Sequence, residues 1–168
     1  MRRWLLLGLA LVAAAACGGD DDPGSQAPVP RADLIGPALD AVVAERGADD
    51  VELLEVAADL EVVDVIVRDG KGDGAGAVLY RYDGESLTGP IEPRRDERPT
   101  FTVAEVTIEP DSIFEQVEAE LPDSAIIDLA VRAEGNVVVN DATVASQNGG
   151  VLLVLLQPDG TIIGMQPV

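Results

Sequence analysis

The side chains that most often carry out chemistry are scarce in this chain of 168 residues. The sequence contains no histidine, one lysine and one cysteine, Cys17, against 31 aspartates and glutamates. Histidine is the commonest general base and the commonest protein ligand of transition metals, so its absence removes most catalytic and metal-binding designs. A lone cysteine can form no disulfide within the chain. These counts predict a protein without a catalytic residue, a bound metal or another cofactor.

Carboxylates are the remaining groups that could catalyse a reaction, because paired aspartates or glutamates can cleave glycosidic bonds. With 31 acidic residues in the chain, many pairs arise by chance and none stands out. A catalytic pair would have to converge in a cleft and to have raised pKa values. The enzyme interpretation stays open on that one condition.

The segment Asp69-Gly-Lys-Gly-Asp-Gly74 has the outline of a calcium-binding loop. An EF-hand loop places an acidic or amide residue where this chain has Lys71, and a bidentate glutamate where it has Tyr80. Both departures remove metal ligands. We therefore predict an ordinary glycine-rich turn between two strands rather than a calcium site.

Arg94, Arg95 and Arg98 form the basic cluster of the chain and are interleaved with Asp96 and Glu97. Exposed charges this close together pair with one another and contribute little stability, so one interpretation is a solvated loop. The other interpretation is a contact point for an acidic partner or headgroup. We keep the three arginines as candidate partner-binding residues.

Tyr80 and Tyr82 share one face of a predicted strand with Val78. This alternation predicts a stripe that points into the core. Should the stripe be exposed instead, it becomes the obvious contact patch, because aromatic side chains are enriched at the centres of interfaces. Both tyrosines are candidate partner-binding residues under that condition.

Residues 1–16 have the anatomy of a signal peptide. Arg2 and Arg3 form a positive start, and the apolar run from Trp4 to Ala16 ends in small side chains. The run is shorter than the roughly 20 residues that a membrane-spanning helix needs. The sequence therefore predicts an exported protein.

The four residues Ala14-Ala15-Ala16-Cys17 resemble the lipobox of bacterial lipoproteins, apart from Ala14, where that family usually carries leucine. The resemblance implies cleavage before Cys17 and attachment of lipid, palmitate included, to that cysteine. It places the protein at the outer face of the cell membrane, anchored by that lipid. Two or three acyl chains hold a protein durably, whereas a single chain holds it only marginally.

Residues 17–31 join the predicted lipid site to the folded part. The segment contains Asp20-Asp21-Asp22, glycines, prolines and hardly an apolar side chain, which predicts a flexible, charge-extended tether. Cleavage would leave 9 basic and 31 acidic residues, a net charge of −22. Such a chain is a poor ligand for nucleic acid. Anionic headgroups repel it, so a spacer between lipid and domain is useful.

Residues 32–99 form the first folded half. Apolar pairs that recur every four residues predict a helix that starts near Ala32, carries Pro37 in its first turn and stops at Gly47. Asp83-Gly84 marks a hairpin turn. Segments rich in β-branched residues predict strands over 51–56, 60–68, 77–82 and 87–91.

Residues 100–168 form the second half. The sequence predicts a strand over 101–108 with a β-bulge near Ala104 and Glu105, followed by a helix that opens with a capping box at Ser112 and Glu115. The run 151–156 is apolar at every position, which favours a central strand covered on both faces. Further strands are predicted over 125–132, 137–145 and 162–168.

The order of elements predicts an α+β fold of two similar helix-plus-antiparallel-β-meander halves, packed as one compact unit. This order resembles tandem PepSY-like and β-lactamase-inhibitor-protein-like modules of bacterial envelopes. Two turn motifs, Tyr80-Arg-Tyr-Asp-Gly84 and Thr88-Gly89-Pro90, also resemble them. Those modules mostly bind or inhibit other proteins. The resemblance implies no particular catalytic or partner-binding residue.

These observations predict a cell-envelope lipoprotein whose folded part is a non-catalytic, protein-binding or regulatory module. Its partners would be the membrane, through lipid on Cys17, and an envelope protein. The alternative is a carrier that holds a lipid or another apolar ligand in a groove between sheet and helices. A carrier needs an apolar pocket of roughly 300–1,000 Å³, whereas a binding module can be solid.

Overall fold

The computed structural model describes residues 28–47, 51–70 and 75–168, with the backbone but not the side chains of residues 92–94. The predicted signal peptide over 1–16, Cys17 and most of the tether lie outside the described residues. So does the greater part of the calcium-like segment, including Lys71.

The described residues form two α-helices and eight β-strands. Helix α1 spans Ile35–Arg46 and continues a 3₁₀ turn over Ala32–Leu34, and helix α2 spans Pro110–Glu120. The strands are β1 Leu53–Ala58, β2 Val63–Asp69, β3 Gly76–Tyr82, β4 Leu87–Arg95, β5 Ser124–Glu134, β6 Val137–Ser146, β7 Val151–Leu156 and β8 Ile162–Pro167.

All eight strands belong to one antiparallel sheet, in the order β4-β3-β2-β1-β5-β6-β7-β8. Each helix precedes four consecutive strands in the chain, and β1 and β5 are neighbours at the middle of the sheet. The strand order therefore runs outward from the β1–β5 pair in both directions. A similarity between the halves beyond this order of elements stays a prediction.

Both helices pack on the same face of the sheet. Ala38 and Val42 of α1 and Ile113 of α2 are fully buried in the same core as Val56 and Leu129 of the two central strands. Helices of 12 and 11 residues are marginal by themselves. Their stability therefore comes from this apolar contact, and side chains fill the space between helices and sheet.

The ends of α1 follow from single residues, as the sequence predicts. Pro37 lies in the first turn, where its missing N–H has no helical partner to lose. Gly47 ends the helix with φ 86°, and its N–H donates to the carbonyl of Val43 at 2.9 Å. A left-handed φ of this kind favours glycine.

The strand predicted over 101–108, with its bulge at Ala104 and Glu105, is wrong. Phe101 alone pairs with a strand, through reciprocal hydrogen bonds with Leu53 at 2.8 and 2.9 Å. Residues Val103–Glu105 form a 3₁₀ turn instead. The Glu105 carboxylate accepts the N–H and the hydroxyl of Thr102 at 2.7 and 2.8 Å, so local capping replaces pairing with a neighbouring strand.

The capping box predicted at Ser112 and Glu115 is also wrong. Helix α2 begins two residues earlier, with Pro110 at its first position. Proline is pre-organised for that place because its ring fixes φ near the helical value. Ser112 therefore lies inside the first turn, and its hydroxyl is 3.5 Å from the carboxylate of Glu109.

The predicted central position of β7 is wrong, although its limits over 151–156 are right. The strand is next to the edge of the sheet, and only Val154 and Leu156 are buried. An unbroken apolar run shows that a strand is hydrophobic, but it does not fix its place in the strand order. The other strands start and end within four residues of their predicted limits.

Candidate functional site

On one broad surface of the sheet, no helix of the described residues packs, and we call this surface the open face. Strand register assigns its residues, because alternate side chains point to opposite faces and directly paired residues share a face. The open face carries Leu79 and Arg81 of β3, Asp64, Ile66 and Arg68 of β2, Glu55 and Ala57 of β1, Asp128, Ala130 and Arg132 of β5, and Asp141 and Thr143 of β6.

Toward the β4 edge, the open face carries a cross-strand ion pair. Asp64 and Arg81 are directly opposite each other in the β2–β3 register. The guanidinium donates two hydrogen bonds to the carboxylate, at 2.8 and 2.7 Å. This planar, two-bond contact fixes the orientation of both side chains. The Asp64 hydrogen bond and charge raise the pKa of Arg81.

Arg98 reaches the open face from the link between β4 and α2. Its guanidinium binds Asp96 at 2.8 Å and pairs with Glu55 of β1. Its carbonyl accepts a hydrogen bond from Arg68 at 2.8 Å. The hydrogen bonds with Asp96 first, and then those with Glu55, raise the pKa of Arg98 despite its partial burial. The link is therefore tied to the sheet by charge as well as by Phe101.

The most buried charge of the open face belongs to Asp141, which pairs with the partly exposed Arg132. Asp141 is 95% buried, since its relative exposure is 5%. Nε of Arg132 lies 2.5 Å from Oδ2 of Asp141. The contact is a close ion pair between guanidinium and carboxylate. A carboxylate this buried depends on its partner, because an unpaired charge is costly away from water.

Two carboxyl groups of the open face have raised pKa values. Burial, followed by the negative charges of Asp141 and Glu55, raises the pKa of Asp128 to about 6. Burial also raises the pKa of Asp141 to about 6, although the charge of Arg132 opposes the shift. The two residues occupy adjacent strands two positions apart, because Ala130 pairs with Asp141 and Asp128 pairs with Thr143.

We expect Asp128→Asn to stabilise the fold at neutral pH. Because the folded-state pKa of Asp128 is raised above its unfolded value, its ionisation destabilises the fold as the pH rises from about 4 to about 6, and most above that. After allowance for solvent screening, the gain at pH 7.5 should be about 1 kcal/mol.

Urea unfolding followed by circular dichroism at pH 7.5 and pH 4 would measure this gain. It should fall to a small fraction at pH 4, where the carboxyl is protonated in the folded state and about half protonated in the unfolded state. Asp40→Asn, on the exposed side of α1 and away from its first turn, is the matched control and should change little at either pH. An equal gain for Asp128→Asn at both pH values would contradict the electrostatic explanation.

An enzyme would need carboxyl groups that have raised pKa values and that also converge in a cleft. Asp128 and Asp141 meet the first requirement. A described cleft of about 260 Å³ lies at the opposite end of β5, next to the end of α2. Neither Asp128 nor Asp141 lines it. Its walls combine polar and apolar residues, among them Glu120, Asp123, Ser146, Asn148, Val144 and Leu152. The raised-pKa pair and the cleft are thus separate features.

Metal-binding side chains do not converge within the described part of the chain. No group of three or more histidine, cysteine, aspartate or glutamate residues there could hold an ion. None of the described helices is long and apolar enough to cross a membrane.

The tyrosines lie on the helix-covered side of the sheet. Tyr80 is 2% exposed and belongs to the main core, and Tyr82 is half-buried against that core. The hydroxyl of Tyr80 accepts a hydrogen bond from Arg46 at 3.3 Å, and that of Tyr82 donates to the carbonyl of Gly84 at 3.1 Å. Tyr80 packs against α1 and is therefore not exposed, so it does not meet the condition for a contact residue.

The arginines of the predicted basic cluster do not act as one group, because Arg95 and Arg98 point to different places and pair with different carboxylates. Arg95 is exposed and pairs with Glu97 at 2.8 Å. Arg98 points toward the sheet and pairs with Asp96 and Glu55, as described above. Arg94 belongs to β4, but its side chain lies outside the described part. Arg95 and Arg98 therefore meet carboxylates of this chain, and their predicted contact with an outside partner stays a prediction.

The buried and partly buried charges of the open face were missed by sequence reasoning. Asp128 and Arg132 each interrupt a strongly apolar strand between hydrophobic neighbours, and Asp141 lies between Asn140 and Ala142 in another largely apolar strand. Charged residues are almost never fully buried unless they are paired. The available signal for a buried ion pair was a carboxylate inside a largely apolar strand, together with one arginine on the preceding strand.

Comparisons with known proteins give a fold relationship. No protein-family model and no curated protein matches this sequence. Among solved structures, the fold is similar to a protein from Clostridium difficile 630 that is provisionally described as a lipoprotein. The TM-score is 0.55 at 11% sequence identity, and the match covers 84% of this chain and 94% of that one. At this identity the likeness establishes a shared fold.

Proposed function

We propose that this protein is a cell-envelope lipoprotein whose folded part is a non-catalytic module that binds or regulates another protein. Export, lipid attachment at Cys17 and residence on the outer face of the cell membrane belong to this proposal. The single observation that carries the binding function is the open face, a broad surface of the sheet on which neither α1 nor α2 packs.

The open face suits recognition because its charges are fixed before a partner arrives. The Asp64–Arg81 and Arg132–Asp141 pairs are held within the sheet, and Arg98 ties the neighbouring link to it. Side chains that are already ordered lose little conformational entropy on binding. Fixed positive and negative groups also give specificity, since a wrong partner meets like charges.

The lipid anchor is supported by two independent observations. The residues around Cys17 have the arrangement of a lipoprotein signal. A protein with a similar fold, from Clostridium difficile 630, is provisionally described as a lipoprotein. The further resemblance to PepSY-like and β-lactamase-inhibitor-protein-like modules, and a similarity between the two halves, stay predictions within this proposal.

Protein binding is favoured over the carrier function by the packing of the interior. Between the helices and the sheet lie fully buried side chains such as Val42, Val56 and Leu129. The described cleft of about 260 Å³ is below the roughly 300 Å³ at which ligand pockets begin, and several polar side chains line it. A filled interior offers no room for an acyl chain between these elements.

Replacement of Cys17 tests the anchor. We expect Cys17→Ala to move the protein from the membrane fraction to the soluble fraction, because the lipid would have no attachment atom. Fractionation of cells that express each form, with immunoblotting, measures the shift. Conversion of a nearby residue, Ser25→Ala, is the control and should leave the protein with the membrane. Retention of the Cys17→Ala variant in the membrane fraction would overturn the anchor.

Site-specific photo-crosslinking tests the binding surface. A photoreactive amino acid placed at Thr143, on the open face, should give a discrete crosslinked product in intact cells. The same group at Ala44, on the exposed side of α1, is the matched control and should give none. Crosslinks from Ala44 alone, or from neither position, would contradict binding through the open face.

A further inference from the structure

Strand β8 leaves one edge of the sheet open. Its neighbour is β7, and no other strand of the described residues lies beyond it. An edge strand presents backbone N–H and C=O groups that can pair with an added strand. The direction of those groups can be derived from the β7–β8 register.

The register directs the backbone of Met165 away from β7. In an antiparallel pair, residues alternate between those that exchange hydrogen bonds with the neighbour and those that do not. The N–H of Val168 donates to the carbonyl of Val151 at 3.1 Å, so the backbone of Val168 faces β7. Gln166 and Gly164 precede it at intervals of two residues, and their backbone groups therefore face β7 as well. Met165 lies between them, so its N–H and C=O point outward.

The opposite edge of the sheet is protected, whereas the β8 edge is not. Strand β4 contains Pro90 and Pro93, each of which removes a backbone donor, and ends in charged Arg94 and Arg95. Prolines and charges are common devices against the addition of a strand. Strand β8 carries no charged residue, and its one proline is its last residue, Pro167.

The side chains of the β8 edge are apolar and exposed. Ile163 is 53% exposed, Met165 is 45% exposed and Val168 is 83% exposed. Ile163 and Met165 belong to the edge strand itself, and Val168 follows it directly, so apolar side chains are exposed along this edge. An added strand would cover these side chains while it paired with the backbone.

The charge around this edge selects the partner. Residues 99–168 contain 11 acidic residues and one basic residue, Arg132, which is already paired with Asp141. Exposed Asp111 and Asp159 flank the turn that leads into β8, where Gly160 lies against the backbone of Ser112. A second copy of the chain would bring the same negative charge to the edge, so a basic segment is favoured.

We propose that the β8 edge accepts an extended, basic segment of another protein as an additional antiparallel or parallel strand. The inference rests on the protein-binding function proposed above and adds the chemistry of the partner. Its segment would alternate apolar side chains, which cover Ile163 and Met165, with lysine or arginine, which offset the surrounding carboxylates. Backbone hydrogen bonds to Met165 would set its register.

The probe is a fluorescent peptide of about ten residues that alternates valine with lysine, a length typical of a long strand. Fluorescence anisotropy with the full chain in detergent, at an ionic strength of about 0.15 M, measures its binding. We expect saturable binding of this peptide. A peptide of the same length that alternates valine with serine should bind at least about tenfold more weakly, because it lacks the charge.

Backbone hydrogen bonding is tested on both partners. Met165→Pro removes the outward N–H without removing a hydrogen bond to β7, and should weaken binding about tenfold or more. Met165→Leu retains the N–H and is the matched control, with binding close to that of the unaltered protein. A valine–lysine peptide with alternate N-methyl groups keeps its charge but cannot pair as a strand, and it should also bind weakly.

The N-methylated peptide keeps the test decisive if Met165→Pro does not fold, since it needs no change in the protein. Equal binding of the methylated and unmethylated peptides would overturn strand addition and leave only charge attraction. Self-association through β8, seen as a dimer in sedimentation that Met165→Pro abolishes, would overturn the choice of a basic partner. Neither result would remove open-face crosslinks from Thr143, so failure here is distinguishable from failure of the proposed function.

Discussion

Replacement of Arg132 by leucine is expected to lower the free energy of unfolding by about 2 kcal/mol at pH 7.5, roughly the cost of protonating the stranded carboxylate instead. The change leaves the carboxylate of Asp141, which is 95% buried, without its cationic partner at 2.5 Å. Removal of one member of a buried pair costs more than the pair itself contributes, because the remaining charge is stranded away from water. Urea unfolding at several pH values measures the loss.

The pH dependence identifies the cause of this loss. Burial has already raised the pKa of Asp141 to about 6, so at pH 5 the carboxyl group is largely neutral in the folded protein. Arg132 then has less charge to balance, and we expect the loss at pH 5 to be about half that at pH 7.5 or less.

The double variant Arg132→Leu/Asp141→Asn is the second control for this prediction. It removes the stranded charge together with its partner, and it should recover most of the stability at pH 7.5. A loss that is the same at both pH values, and the same in the double variant, would instead show that the packing of the arginine stem matters.

Replacement of Gly160 by alanine is expected to destabilise the fold by about 3 kcal/mol. Gly160 has φ +87°, and a Cβ atom there would lie 2.9 Å from both the carbonyl carbon and the carbonyl oxygen of Ser112. Backbone atoms cannot rotate away as a side chain can. The start of α2 would therefore have to move off the turn between β7 and β8.

Gly149→Ala separates this contact from the cost of the backbone conformation. Gly149 has φ +89°, nearly the value of Gly160, but nothing lies within 4 Å of the corresponding Cβ position. Its replacement should cost about 1 kcal/mol, the price of a left-handed residue alone. Thermal unfolding of both variants gives the comparison. Equal losses would show that the approach of α2 to the turn does not constrain Gly160.

Periodicity was sufficient to predict most of the sheet. Alternation in β2 places Val63, Val65 and Val67 on the face that the helices cover, and all three are fully buried. Strand limits followed because glycine and aspartate mark the turns between these segments. Local signals of this kind act over a few residues, and a sequence displays them directly.

Local hydrophobicity gave wrong predictions at two places, where side-chain capping or pairing between distant strands decides the structure. The segment at 101–108 contains enough β-branched residues to suggest a strand, yet Thr102 and Glu105 have the spacing of a capping box. Two charge-assisted hydrogen bonds at that spacing stabilise the turn. The uniformly apolar β7 misled differently, because its place near the sheet edge depends on pairing partners distant in sequence.

The open-face charges could not be located from the sequence, because they depend on register between strands. Asp128 and Asp141 are 13 positions apart and become neighbours only through the β5–β6 pairing. Arg98 reaches Glu55 across 43 positions by way of the link between the halves. A one-residue shift in either pairing would place these side chains on the other face.

The point at which the tether joins the sheet bears on the orientation of the domain relative to the membrane. The N–H of Arg31 donates to the carbonyl of Asp59 at 2.7 Å, beside the turn between β1 and β2. With the proposed lipid on Cys17, the tether would connect the bilayer to that end of the strands. Its turns expose Asp59, Glu61, Asp83 and Glu85 toward the headgroups. Repulsion from an anionic surface would then keep this end of the domain away from the headgroups, as far as the tether allows, and leave both β8 and the open face accessible.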